Sequence, residues 1–265
     1  MANKQNQNAA KKDGMQKLII GMIVAAAAVV IATVVVAISL ISMSISESKN
    51  HKPADTKPSE TKPATEAATE KLEPHMETIQ KEIDSMKVSD FSETDEESEY
   101  VKITVKGHGD IVVRLRADMA PITAKNFQDH VKKKTYDGLT IHRVMKGFMI
   151  QGGDPDGNGS GGAGTPIDGE FKENGFINDL AHIKGVISMA RRGNDMNSAT
   201  SQFFICNADA RKSLDGKYAA FGYVVAGLDV VDSISDVAVK DNGAGEKSKP
   251  VETIVIEKVC FVTKG

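Results

Sequence analysis

Twelve of the thirteen aromatic residues lie at or after Tyr100, and so do 21 of the 23 glycines. A packed core draws much of its buried area from aromatic rings. A turn-rich fold needs glycine wherever the backbone takes positive φ. Residues 99–265 therefore read as the globular domain, and the rest of the chain must be something else. The 33 basic and 36 acidic residues leave a formal net charge of -3, without the clustered basic surface of a nucleic-acid binder.

Residues 1–17 carry Lys4, Lys11, Lys12 and Lys17 against one acid, Asp13. Residues 18–43 then run for 26 positions without a charged side chain, dominated by Ile, Val and Ala. About 20 helical residues cross a hydrocarbon core of about 30 Å. A cleaved signal peptide has an apolar stretch of only about 7–15 residues. A lipoprotein would need a cysteine near the end of the run, and a run apolar on every face argues against a core helix of the domain. The expected element is an uncleaved single-span anchor. Its preceding lysines place the N-terminus in the cytoplasm and the domain outside the cell membrane.

Residues 44–98 hold no glycine, one aromatic residue (Phe91), and an excess of Lys, Glu, Thr, Ser and Pro. Such a stretch buries too little apolar surface to offset its chain entropy, so a disordered linker is expected. Met76, Ile79, Ile83 and Met86 recur at helical spacing, which suggests a short helix next to the domain. The acids Asp90, Glu93, Asp95, Glu96, Glu97 and Glu99 read as a solvated spacer.

Within the domain, residues 101–105 (VKITV) and 111–115 (IVVRL) alternate and flank GHGD, the pattern of a hairpin. Asp118 precedes Pro121 near a helix start, and Ala120, Ala124, Phe127 and Val131 recur at helical spacing, with Asp118 as a candidate N-cap. Residues 139–151, 185–190, 201–206, 219–225 and 253–262 read as further strands, and Leu228, Val231 and Ile234 as a second helix. Many short strands with few helices point to a mainly β domain, a closed barrel or sandwich.

GxxxxGK[ST], HExxH and GxSxG are all missing from the sequence. Asp154, Asp156 and Asn158 fit the first half of a calcium loop, but its twelfth position is Thr165 rather than Glu. The glycine-rich stretch 152–164 reads instead as a wide turn. Cys206 and Cys260 are expected to be free thiols; two cysteines make no disulfide framework. In residues 201–206 the period of two sends Gln202 and Phe204 to one face and Phe203 and Ile205 to the other. An amide beside an exposed phenylalanine suits a peptide groove.

FMIQGGD (148–154), SQFFIC (201–206) and LDGK (214–217) followed by Phe221 and Gly222 resemble the cyclophilin family of peptidyl-prolyl cis–trans isomerases. The likeness covers about residues 99–265. It implies a closed eight-stranded antiparallel β-barrel capped by two α-helices, acting as a monomeric domain without cofactor or metal. It also implies the reaction, rotation about X–Pro bonds, and the partners, proline-containing peptides in unfolded or exported proteins. By resemblance Arg143, Gln151 and Phe204 are catalytic. Phe148, Met149, Phe204 and Leu214 hold the proline ring, Tyr218 offers an aromatic wall, Gln151 and Gln202 bind substrate backbone, and Ala190 and Gly159 line the neighbouring groove. His142 is expected to be structural. A proline-peptide binding or holdase module is the alternative reading.

Three departures from the family pattern stand out. Ser213 replaces a familiar tryptophan that matters for cyclosporin, so weak inhibition is expected. Tyr218 stands where histidine is common. Residues 191–200 form a slightly longer segment that brings Arg191 and Arg192 to the groove's edge, which suggests a preference for acidic flanking residues.

Overall fold

The computed structural model describes residues 74–265. The basic segment 1–17, the expected anchor 18–43 and residues 44–73 of the expected linker lie outside the described residues. Among the described residues no helix is long and apolar enough to cross a membrane.

In chain order the strands are β1 (Phe91–Glu93), β2 (Tyr100–Val105), β3 (Gly109–Leu115), β4 (Thr140–Met145), β5 (Met149–Asp154), β6 (Val186–Met189), β7 (Phe203–Cys206), β8 (Ala220–Ala226), β9 (Val239–Asp241), β10 (Lys247–Pro250) and β11 (Ile256–Lys264). Among the described residues the α-helices are α1 (Pro74–Glu82), α2 (Pro121–Lys132), α3 (Arg211–Leu214) and α4 (Leu228–Ser235). Nine strands form one sheet in the order β1-β11-β2-β3-β8-β6-β7-β5-β4, while β9 and β10 pair with each other. At its far end β4 meets the segment entering β11 through one antiparallel bridge, Thr140 with Val255.

The mainly β architecture agrees with the sequence; its details do not. Among the described residues the ladders join nine strands rather than eight and four α-helices are present rather than two. Three backbone bonds tie the two ends of the sheet together: Gly138 N–H donates to the Ile256 carbonyl at 2.8 Å, Ile256 N–H to that of Leu139 at 2.8 Å and Ile141 N–H to that of Ile254 at 3.0 Å. The additions are elements with little pattern to read. β1 is the tripeptide FSE, β9 and β10 are the polar VKD and KSKP, and α3 is a single turn. The expected strand 139–151 is a hairpin of β4 and β5, turned at Gly147 with φ of 78°.

Alternation was a sound guide inside the sheet. Val101, Ile103 and Val105 of β2 are all buried in the main core beside Phe127, Tyr136, Phe203 and Phe221. Helix α2 forms where its spacing predicts, but Asp118 does not cap it. The N-cap is Ala120, without a side-chain bond, and Asp118 instead accepts from Arg116 Nε at 2.7 Å. The first turn is capped from elsewhere: the buried Glu170 carboxylate accepts the N–H of Ile122 at 3.0 Å and of Thr123 at 2.8 Å. A carboxylate there satisfies orphan donors and complements the helix dipole.

The expected linker is corrected over residues 74–98. These residues form α1, a 3-10 turn at Val88–Asp90 and β1, and they pack as a strap on the sheet. Met76 and Ile79 are 1% and 2% exposed, set among Val112, Val186, Tyr223, Val225 and Ala226. Ile83, Met86, Val88 and Phe91 pack against the same cluster. The main chain is tied as well, with Met86 N–H donating to the Val225 carbonyl at 3.0 Å. Glu82 accepts from Arg114 at 3.0 Å and from the Tyr223 hydroxyl, whose pKa is pushed up to about 12 by burial and by that bond.

Candidate active site

Register brings the sequence-predicted residues together. Arg143 of β4 faces Gln151 of β5, and Gln151 faces Phe204 of β7, so the three form one row across adjacent strands. Phe204 and Met149 pack with Leu214 of α3, with Phe148 and Tyr218 against them. Phe203 and Ile205 turn into the main core, as the period of two requires.

Two cavities adjoin along this row. The first, of about 230 Å³, is lined by Arg143, Phe148, Met149, Gln151, Ala190, Arg191, Phe204, Leu214 and Tyr218. The second, of about 460 Å³, takes in Gly159, Arg192 and Gln202 and shares Gln151, Ala190 and Arg191 with the first. All ten predicted site residues therefore lie on one continuous groove.

A line of hydrogen bonds runs along the groove floor. Arg143 Nη1 donates to Gln151 Oε1 at 3.1 Å, and Gln151 Nε2 donates to Gln202 Oε1 at 2.9 Å. Gln202 Nε2 then donates to the carbonyls of Gly161 at 2.7 Å and Gly159 at 3.2 Å. Both N–H groups of Gln202 are thus committed to the glycine-rich loop, which makes it an anchor of the groove wall. Among the described residues Gln151 keeps one N–H without a partner. The loop is also held by Asp154, whose carboxylate accepts the N–H groups of Asp156, Asn158 and Gly159. Those bonds keep its pKa below the usual carboxylate value in spite of burial. Gly153, with φ of 83°, could not carry a side chain, since a Cβ would meet the Ser201 carbonyl at 2.6 Å.

Residues 100–260 match the family described as cyclophilin type peptidyl-prolyl cis-trans isomerase/CLD. The chain belongs to the cyclophilin family. A peptidyl-prolyl cis-trans isomerase of Acinetobacter baylyi is 40% identical over 156 residues, covering 56% of this chain and 80% of that protein. Isomerase ppi1 of Schizosaccharomyces pombe is 40% identical over 151 residues, covering 57% of this chain and 91% of that protein. A Cryptosporidium parvum cyclophilin-type isomerase, crystallised in the presence of the dipeptide Ala-Pro, superposes with a TM-score of 0.54 at 29% identity. That match covers 61% of this chain and 98% of the other. The domain is a peptidyl-prolyl cis–trans isomerase of the cyclophilin type.

Behind the cyclophilin groove lies a support that the sequence reading did not find. The His182 ring stacks on Phe204 at 6.1 Å. Its Nδ1 meets Asp215 at 2.8 Å, and its Nε2 meets the Ser188 hydroxyl at 2.9 Å. A serine, histidine and aspartate in this order resemble a nucleophilic triad. Ser188 is 0% exposed and His182 1%, so no substrate reaches them and the set acts as a prop for Phe204. Asp215 lies inside the LDGK motif, whereas His182 has no local signal.

At the junction of the two cavities Arg191 is clamped. Its guanidinium lies 4.8 Å from the Tyr218 ring centre and 5.0 Å from that of Phe171. Nε donates to the Lys217 carbonyl at 3.0 Å. Arg192 beside it is exposed and lines the larger cavity. His142 takes no part in the row, and both its ring nitrogens are buried without partners among the described residues. Cys206 and Cys260 are free thiols, with Cys206 raised far above its ordinary pKa by burial.

Proposed function

We propose that this chain is a membrane-anchored isomerase working outside the cytoplasm on unfolded or exported proteins, with Arg143 as the donor to the prolyl nitrogen. The observation that carries the chemistry is the guanidinium set in one row with Gln151 and Phe204 at the rim of an apolar cavity. Amide resonance sets a barrier of about 18–20 kcal/mol. As the peptide bond twists, the prolyl nitrogen turns pyramidal and gains a lone pair. A fixed cationic donor meets that lone pair only in the twisted state, so it lowers the barrier without tightening the ground state. Phe148, Met149, Phe204 and Leu214 seat the ring, Tyr218 walls it, and Gln151 holds the substrate backbone. Ala190 and Gly159 border the residues next to the proline.

The setting is supported by the uncharged run at 18–43 and the lysines before it. Uncatalysed prolyl steps take tens to hundreds of seconds, long enough to leave a newly exported chain exposed. Protease added to intact cells is expected to remove the cyclophilin domain; a protected domain would reverse the topology.

The deciding experiment is an isomerase assay of the full chain on an Ala-Pro peptide, beside Arg143→Ala. Faster rotation that the substitution abolishes supports the enzyme. Binding of the peptide with no acceleration in either chain would make it a proline-peptide binding or holdase module. Arg192, exposed on the larger cavity beside the clamped Arg191, also implies a charge preference. Peptides with Glu before the X–Pro pair are expected to turn over severalfold faster than those with Lys at low salt, and equal turnover would count against it.

A further inference from the structure

The turn between β9 and β10 is fastened from within. Asp241 Oδ1 accepts the Gly243 N–H at 2.7 Å, and Asn242 Oδ1 accepts the Ala244 N–H at 2.9 Å. Asn242 N–H in turn donates to the Glu246 carbonyl at 2.9 Å. Gly243 and Gly245 take φ of 92° and 84°, which only glycine adopts freely. The turn ends at Glu246, and its carboxylate meets Arg143 in a two-pronged ion pair. Nε donates to Oε1 and Nη2 to Oε2, both at 2.7 Å. This fork-on-fork arrangement is the strongest and most directional that an arginine makes with a carboxylate. Arg143 in return holds the Glu246 carboxyl down at about 2, so the pair stays charged across the working pH range.

The consequence appears when the five N–H groups of the guanidinium are assigned. Two go to Glu246, a third from Nη2 to Met145 Sδ at 3.1 Å, and a fourth from Nη1 to Gln151 at 3.1 Å. Among the described residues the second Nη1 N–H has no partner, and it belongs to the same nitrogen that bonds the groove amide. Glu246 itself lines neither cavity. It touches the arginine on the edge away from Gln151.

We propose that Glu246 is a positioning residue for the isomerase reaction: by gripping the Nε/Nη2 edge of Arg143, it presents the Nη1 edge to the twisting prolyl nitrogen. The proposal rests on the reading of Arg143 as the donor. A long side chain with many rotamers delivers its donor reliably only when its other edge is held, and small misplacements of a catalytic group cost orders of magnitude in rate.

The test compares the full chain with Glu246→Ala, Glu246→Gln and Arg143→Ala on one Ala-Pro peptide, recording kcat, KM and melting temperature. Glu246→Ala is expected to lower kcat about tenfold or more with KM within about twofold, because the ring pocket is untouched. Glu246→Gln keeps one acceptor oxygen and is expected to recover part of that loss. The Arg143 Nε–H resonance should shift in Glu246→Ala and move partway back in Glu246→Gln. A Glu246→Ala chain with wild-type kcat overturns the proposal. So does a loss of kcat that comes only with a raised KM and a lowered melting temperature, which marks Glu246 as a structural residue. Equal turnover by wild type and Arg143→Ala is a different pattern: it removes the donor reading itself and the proposal with it.

Discussion

Arg143→Ala is expected to lower kcat/KM on an X–Pro peptide by about 10²–10³-fold, the usual effect of deleting one preorganised donor to a developing charge. That is about 2.7–4 kcal/mol of a barrier of about 18–20 kcal/mol, so one residue carries a sizeable share of any acceleration. The loss should fall on kcat, since the cavity that seats the ring is built from Phe148, Met149, Phe204 and Leu214. Arg143→Lys should resemble the alanine variant more than the wild type. An ammonium cannot bond both Glu246 oxygens and Gln151 at once in the fork geometry that the guanidinium uses. Stopped-flow or exchange measurements on a single peptide series would check both variants. A change within twofold for Arg143→Ala would sink the donor reading.

The second large effect concerns stability. Trimming the chain to residues 99–265, where the glycine and aromatic content begins, is expected to destabilise it by about 3 kcal/mol or more relative to residues 74–265. Met76 and Ile79 are almost wholly buried, and fully burying such side chains is worth about 1.5–3 kcal/mol each. Their removal also strips the cover from Val112, Val186, Val225 and Ala226, leaving an apolar face open to water. The ordering entropy of the strap offsets part of this, which is why the figure stays near the contribution of the two best-buried residues. Against a typical stability of about 5–15 kcal/mol the effect is large. Urea midpoints of the two chains would measure it; coincident curves would show that the strap adds nothing. Ile79→Ala in the longer chain should reproduce a good part of the loss, about 2–5 kcal/mol for a buried residue of that size.

The strap also shows where the sequence was legible and where it was not. The spacing of Met76, Ile79, Ile83 and Met86 announced a helix, which ends at Glu82 short of the last two, but nothing local named the surface that it covers. The clue lay elsewhere, in β8. All seven residues of AFGYVVA are buried, on both faces of the strand. An antiparallel strand with one face in water alternates, so an unbroken apolar run means that something lies over its outer side. The row of Arg143, Gln151 and Phe204 was legible because the family resemblance picks out all three, and the ladders then align them. Glu170 and Glu246 were not. Each acts on a partner far away in sequence, Glu170 on the start of α2 and Glu246 on Arg143, and each sits among ordinary polar residues. Long-range pairings of this kind leave no periodic trace.

The line of side chains from Arg143 through Gln151 and Gln202 to the Gly161 carbonyl has a sense as well as a shape. Every link donates in the same direction, away from the guanidinium, so the dipoles add instead of cancelling. Turning the Gln151 amide over would set its N–H₂ against an arginine N–H and its oxygen against the Gln202 oxygen, forfeiting two bonds of about 1 kcal/mol each. The fixed charge at one end therefore locks the handedness of both amides. The groove floor is thus a one-way polar rail, held in a single sense along its whole length.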